Sequence, residues 1–271
     1  MSTSSAPLEI GRVALTVNDI GRVSEFYQTA LGLERIGGGG EVATFGAGGR
    51  VLLELRSDPA ARRHLAREAG LFHTAFLLPS RADLGVWLRH AAATRVALQG
   101  ASDHLVSEAI YLADPEGNGI EVYVDRPRDQ WTTHGGEIQM ATEALDLDDL
   151  AAAADRPWGG ASAGMVVGHV HLQVGSVPEA EAFYAGTLGF AVTSHYPGAS
   201  FFGAGGYHHH LAANIWNSRG AGARSYPSTG LADVEIIGDA AAIGAIHQKA
   251  GAGATLADPW GTTFTIARKA A

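Results

Sequence analysis

The stretch Gly100 to Asp125, GASDHLVSEAIYLADPEGNGIEVYVD, gathers a carboxylate, a phenol and an imidazole into one short segment. Two runs with strand character, SEAIYLAD and GIEVYVD, flank Asp114-Pro115-Glu116-Gly117-Asn118-Gly119. Proline presets one φ and the glycines admit positive φ, so a tight hairpin is expected there. Alternation sends Ile120, Val122 and Val124 to one face and Glu121, Tyr123 and Asp125 to the other. Tyr111 stands ten positions before Glu121, and His104 seven before Tyr111. On one concave surface these three groups could ligate a cation, donate a hydrogen bond and exchange a proton near neutral pH.

The composition narrows what Glu121 binds. With no cysteine, disulfides, thiolate catalysis and thiolate metal sites are excluded, so any metal needs nitrogen and oxygen ligands, and twelve histidines are on hand. Nineteen basic against twenty-eight acidic residues, a net charge of −9, argue against a phosphate-backbone partner. A hydrophobic share of 46% with 17% charged residues fits a soluble globular chain, long enough for one large or two ordinary domains. The N-terminus MSTSSAPLEIG has neither a basic nor an apolar segment of a secretion signal, and no apolar run is long enough to span a bilayer. A cytoplasmic enzyme is expected, with no nucleic-acid or membrane partner. Edge strands and apolar content make a homo-oligomer an open expectation.

The elements that must position these groups recur along the chain. LEIGRVALTV reads as a strand, DIGRVSEFYQTALG as a helix capped at Asn18-Asp19, and LERIG, EVATFGA and RVLLELR as three strands. LFHTAFLL, RADLGVWLRHAAAT and the hairpin repeat the pattern, ending by Asp125. A third copy starts at GHVHLQV, with SVPEAEAFYAGTLGF as its helix; a fourth runs LADVEIIG, DAAAIGAIHQKAGAG and the strand pair around LADPWGTTFTIAR. VSEFYQTALGLE matches EAEAFYAGTLGFA, and DPEGNGIEV matches DPWGTTFTI. The fold class is therefore α+β, four βαβββ modules in two domains. The N-terminal domain covers 7–127, a linker with one short helix near Leu147 to Ala154 covers 128–163, and the C-terminal domain covers 164–271.

This repeat, with its FY-x-x-x-LG helix and DP-x-G-x-x-I-E hairpin, resembles the vicinal oxygen chelate superfamily of glyoxalases, bleomycin-resistance proteins and extradiol dioxygenases. SEAIYLADPEGNGIEVYVDRPRDQW together with GGYHHHLAANIW resembles its catechol 2,3-dioxygenase group. The resemblance implies a ligand rule: a histidine from a module's first strand and a glutamate from its last. Module one offers Arg12 and Glu54, module two His73 and Glu121, module three His169 with Leu211 at the glutamate position, and module four Asp233 and Thr265. The set it implies is His73, Glu121 and His169, two histidines and one carboxylate, as in non-haem Fe(II) oxygenases. Such a set requires modules two and three to share one barrel, with Glu54 left as a vestigial ligand or an ion-pair partner in the other.

The resemblance further implies Fe(II)-dependent ring cleavage of catechol or a substituted catechol by O2, in aromatic degradation; Mn(II) suits the same donors. The acid–base role falls by residue matching on His209, and a one-residue slip would pass it to His208 or His210, since the histidine triple is expected inside a strand. Tyr111 and His104 would steady the substrate oxygen, with His171, His208 and Asn214 as substrate contacts and Asp103 and Ser107 as guesses nearby. Trp131, Trp158 and Trp216 are candidates for the pocket wall. A metal-dependent isomerase or lyase of the glyoxalase type, or a non-catalytic resistance-type binding protein, are the alternatives on the same fold.

Overall fold

The structure, a computed structural model, describes residues 6–251 and 253–269. Module one comprises β1 (Leu8–Val17), α1 (Ile20–Ala30), β2 (Glu34–Gly39), β3 (Val42–Ala47) and β4 (Arg50–Ser57). Module two comprises β5 (Gly70–Leu77), α2 (Arg81–Ala93), β6 (Leu98–Asp103), β7 (Ser107–Ala113) and β8 (Gly119–Asp125). The segment between the halves carries the short strands β9 (Thr133–His134) and β10 (Glu137–Ile138) and the helix α3 (Leu147–Ala152). Module three comprises β11 (Val166–Gln173), α4 (Val177–Glu181), β12 (Ala191–Tyr196), β13 (Ala199–Gly203) and β14 (Leu211–Asn214). Its helix was expected as one α-helical run; after α4 it continues instead as a wider π-helical stretch, Ala182–Thr187. Module four comprises β15 (Gly230–Gly238), α5 (Ala240–Ala250), β16 (Thr255–Ala257) and β17 (Thr263–Arg268), one strand short of the others among the described residues.

The modules pair across the chain. One sheet runs β16-β17-β15-β1-β4-β3-β2, joining modules four and one; the other runs β12-β13-β14-β11-β5-β8-β7-β6, joining modules three and two. In each, the first strands of two modules meet antiparallel at the centre, β1 with β15 and β5 with β11. Each first strand then pairs in parallel with its own module's last strand. The division at 128–163 thus separates modules along the chain, whereas the sheets separate them in space.

The two repeated motifs explain one another. Asp114 Oδ1 accepts from the backbone N–H of Glu116 and of Asn118 at 2.8 and 3.0 Å, and Asp258 Oδ1 accepts from Trp260 and Thr262 at 2.9 and 2.8 Å. These bonds close the turn, with Gly117 and Gly261 both at φ 86°. The buried phenols of the FY signature then reach over: Tyr27 hydrogen-bonds Asp114, and Tyr184 Oη donates to Asp258 Oδ2 at 2.8 Å. The helix of one module is thereby tied to the hairpin of the next.

The linker docks on this frame. Ala161 N–H donates to the carbonyl of Gly32 at 3.0 Å, and Asp83 at the start of α2 receives Ser162 Oγ and the Arg156 guanidinium. Burial alone would raise the Asp83 carboxyl, but hydrogen bonds from Ser162, Ser80 and Arg156 hold it below its ordinary 3.8. A carboxyl depressed by folding stabilises the fold above its unfolded pKa and loses that contribution as pH falls through the folded value. Acidification below about pH 4 should therefore release the linker, read as faster protease cleavage within 128–163. Asp83→Asn should cleave fast already at neutral pH and show a flatter acid limb.

Candidate active site

The sheet register of modules two and three builds the site. Across β11, β5 and β8, His169 pairs with Ala75 and Ala75 with Glu121; β7 adds Tyr111 opposite Glu121. One step along, His171 pairs with His73. With a strand period of two, these side chains emerge on one face, and the methyl of Ala75 leaves the centre of the row open. Two close approaches hold the register. A Cβ on Gly119 would lie 2.0 Å from the Phe72 carbonyl oxygen, and one on Gly168 would lie 1.9 Å from the Tyr123 hydroxyl.

His73, Glu121 and His169 meet. Glu121 Oε2 lies 3.0 Å from His73 Nε2 and 3.2 Å from His169 Nε2, and the two imidazole nitrogens are 3.3 Å apart. All three residues are buried. Burial would raise the Glu121 carboxyl, yet the facing His169 and His73 rings hold it well below its usual range, while burial lowers His169 to about 4. Glu121 is therefore ionised and His169 neutral at pH 7, the protonation states a cation requires of its ligands. Three mixed N/O donors at a mutual 3.0–3.3 Å also match the roughly 3.0 Å edge set by bonds of about 2.1 Å at right angles. The donor set fits a divalent transition metal.

A cavity of about 230 Å³ opens above this trio. His104, Tyr111, His171 and His209 line it, as do Ser107 and Trp216. The His104 Nδ1–H donates to the Ala141 carbonyl at 2.6 Å, which leaves Nε2 to accept the Tyr111 hydroxyl at 2.6 Å. Burial, then the Glu121 charge, raises the Tyr111 pKa well above 10, so the phenol keeps its proton. Asn214 does not line the cavity: its Oδ1 accepts Trp216 N–H, which turns Nδ2 toward His171 Nε2 at 3.0 Å.

The histidine triple departs from expectation. Residues 208–210 precede β14 rather than lying in it, because Gly205 and Gly206, at φ 61° and 71°, turn the chain after β13. His209 nevertheless faces the cavity, its ring centroid 4.1 Å from that of His169. His208 is fully buried behind it, with Nε2 2.9 Å from Asp125 Oδ1 and Nδ1 2.7 Å from His209 Nδ1. Tyr207 Oη donates to the same Asp125 oxygen at 3.0 Å. His210 points elsewhere, its Nδ1 accepting the Ala204 N–H. Asp103, also outside the cavity, is paired with Arg126.

The matched families accord with this arrangement. The family model of the Glyoxalase/Bleomycin resistance protein/Dioxygenase superfamily matches residues 9–122 and 166–247. The chain belongs to this superfamily. A Bacillus subtilis (strain 168) protein named catechol-2,3-dioxygenase is 39% identical over 237 residues, covering 85% of this chain and 83% of that protein. Among solved structures, a putative dioxygenase from Bacillus subtilis aligns with TM-score 0.62 at 11% identity, covering 96% of this chain and 84% of that one. Glyoxalase I from Zea mays aligns with TM-score 0.57 at 14% identity, covering 96% and 92%. Both structural likenesses concern the fold alone.

Within the superfamily fold, the second sheet holds the equivalent positions and uses them differently. Asp233 pairs with Ala14 and Ala14 with Glu54, repeating the row of His169, Ala75 and Glu121. Arg12 stands where His73 does, its Nη1 3.1 Å from Asp233 Oδ2 and its Nε 3.5 Å from Glu54 Oε2. Thr265 donates to Asp233 Oδ1 at 3.0 Å, and Arg56 pairs with Glu54 at 2.6 Å. A guanidinium supplies the positive charge here, so Glu54 is an ion-pair partner. Arg12→Met should leave the buried Asp233 charge uncompensated and cost about 3 kcal/mol, read as a lower denaturant midpoint with unchanged slope.

Some of the cavity lies outside what the sequence marked. Met140, Ala141 and Thr142 of the linker line it, held because Glu143 pairs with Asp103 at the free edge of β6. No spacing signal marks such a contact. Of the three tryptophans, only Trp216 lines the cavity; Trp131 packs on Tyr207 and His208, and Trp158 stacks on His90 at 4.3 Å.

Proposed function

We propose that the protein is an extradiol dioxygenase that opens the ring of catechol or a substituted catechol beside its diol, inserting both atoms of O2. His73, Glu121 and His169 would hold Fe(II), for which Mn(II) could stand in. The observation that carries this reading is the two-histidine, one-carboxylate trio on the floor of a cavity that His209 and the His104–Tyr111 pair overlook. The relative named catechol-2,3-dioxygenase supports it over most of the chain. Once bound, the metal supplies a charge that acidifies the diol and a position for O2 beside it.

The chain's own groups do the rest. His208 Nε2 donates to Asp125, so its Nδ1 accepts and His209 must carry its proton on Nδ1. The lone pair on His209 Nε2 is then free to take a proton from a diol hydroxyl and return it to the oxygen released on ring opening. Tyr111, whose proton goes to His104, keeps its hydroxyl oxygen at a fixed place beside the trio, where it can accept a hydrogen bond from a substrate hydroxyl. Phe72, Val106 and Phe201 line the cavity and exclude water from the reacting ring. The partners are accordingly a small aromatic diol and O2. Among the described residues no helix is long and apolar enough to cross a membrane.

Reconstitution of the metal-free protein with Fe(II) under nitrogen, followed by catechol and then O2, tests the reading. Uptake of one O2 per catechol and a yellow ring-fission product are expected. Failure of every catechol in a substituted series to yield product would overturn ring cleavage and leave the glyoxalase-type isomerase to be assayed.

A further inference from the structure

The cavity is wide, and among the described residues no side chain with a fixed positive charge lines it. At about 230 Å³, it exceeds the roughly 150 Å³ that suffices for a benzene ring, so a diol ring leaves space for a substituent of a few heavy atoms. No lysine or arginine lines it among the described residues, and its one carboxylate is Glu121. Arg126, close in sequence to the site, lies outside the lining and is engaged by Asp103 and Glu108.

The walls that a substituent would meet are apolar. Phe72 and Trp216 meet edge to face with centroids 5.5 Å apart, and Tyr196 closes on Trp216 at 6.4 Å. The indole N–H of Trp216 is spent on the Pro197 carbonyl at 2.9 Å. Val106 and Met140 also line the cavity. Ser102, Ser107, Thr142 and Ser194 bring hydroxyls, which can hydrogen-bond but cannot neutralise a charge. Both nitrogens of His104 are engaged, by Ala141 and Tyr111, as are His171 Nε2 by Asn214 and His209 Nδ1 by His208, and His209 Nε2 is left to the diol.

We propose that this site takes catechols bearing an uncharged, apolar substituent and rejects catechols bearing a carboxylate. The inference rests on the ring-cleavage reading and narrows its substrate class. A substituent carboxylate would exchange water for aromatic faces and neutral hydroxyls, since the charge of a bound divalent metal would be balanced by Glu121 and the ionised diol rather than left for the substituent. A net charge of −9 on the whole chain opposes its approach as well. An alkyl group of the same size gains burial at no such cost.

Isobutyl and carboxymethyl side chains are near-isosteres, so 3-isobutylcatechol and 4-isobutylcatechol should be compared with 2,3- and 3,4-dihydroxyphenylacetate. The readout is the dissociation constant from calorimetry on the Fe(II)-loaded protein under nitrogen, with unsubstituted catechol as reference. The better isobutyl compound should bind at least about tenfold more tightly than either acid, the loss expected for a charge left without a partner. A smaller difference, or a preference for an acid, overturns the proposal while catechol binding leaves the ring-cleavage reading standing. Silence from all five ligands overturns both.

Discussion

Glu121→Gln should abolish metal retention and with it all oxygen uptake. The substitution keeps the shape of the side chain but replaces the anionic oxygen that lies 3.0 and 3.2 Å from His73 and His169 with a neutral amide. Loss of a group that merely supports a ligand costs about 10–100-fold in metal affinity. Loss of the only carboxylate in the trio should exceed that, so at least about a 100-fold fall is expected. Metal analysis after dialysis against a weak chelator reads it directly. Thermal unfolding gives a second readout. Saturation at a hundred times the dissociation constant adds about 2.7 kcal/mol to the native protein, a rise in midpoint that the variant should not show. A variant that keeps its metal would remove Glu121 from the ligand set.

His209→Gln should leave metal content intact and lower turnover by about 10²–10⁴, the usual share of a positioned acid–base group. The ring touches that of His169 but is not one of the three donors whose atoms converge. The chain from Asp125 through His208 adds a finer expectation. Asp125→Asn presents an amide in place of the carboxylate that receives His208 Nε2, so His208 can turn its proton toward His209 and upset the tautomer. A fall in turnover of about 10–100-fold is expected, by analogy with supporting groups at metal sites. The nitrogen-15 shifts of the His209 ring should move with it. Unchanged shifts would confine Asp125 to packing against Tyr207.

Repetition made much of the molecule legible in the chain. VSEFYQTALGLE and EAEAFYAGTLGFA announced equivalent helices, and the two DP turns equivalent hairpins, because each motif serves one local need: a phenol to seal a turn aspartate and a glycine to complete it. Period-two alternation put Glu121 on the face opposite Ile120 and Val122, and the register set Tyr111 directly across from it. Comparing ligand positions through four modules singled out His73, Glu121 and His169 and required modules two and three to adjoin, as the eight-stranded sheet has them.

What the sequence by itself determined is local: strand faces, helix caps, turn chemistry and the order of the modules. These depend on side chains a few positions apart, whose spacing is written in the chain. Contacts between distant segments were decided only by tertiary structure. The placement of residues 208–210 ahead of β14, the seating of Ala141 against His104 and the burial of His208 between Asp125 and His209 are of that kind. So is the guanidinium of Arg12 spanning Glu54 and Asp233 where the other sheet sets two imidazoles against a carboxylate. Each depends on which surfaces meet when the sheets close, and the free energy of that meeting belongs to the pair rather than to either segment.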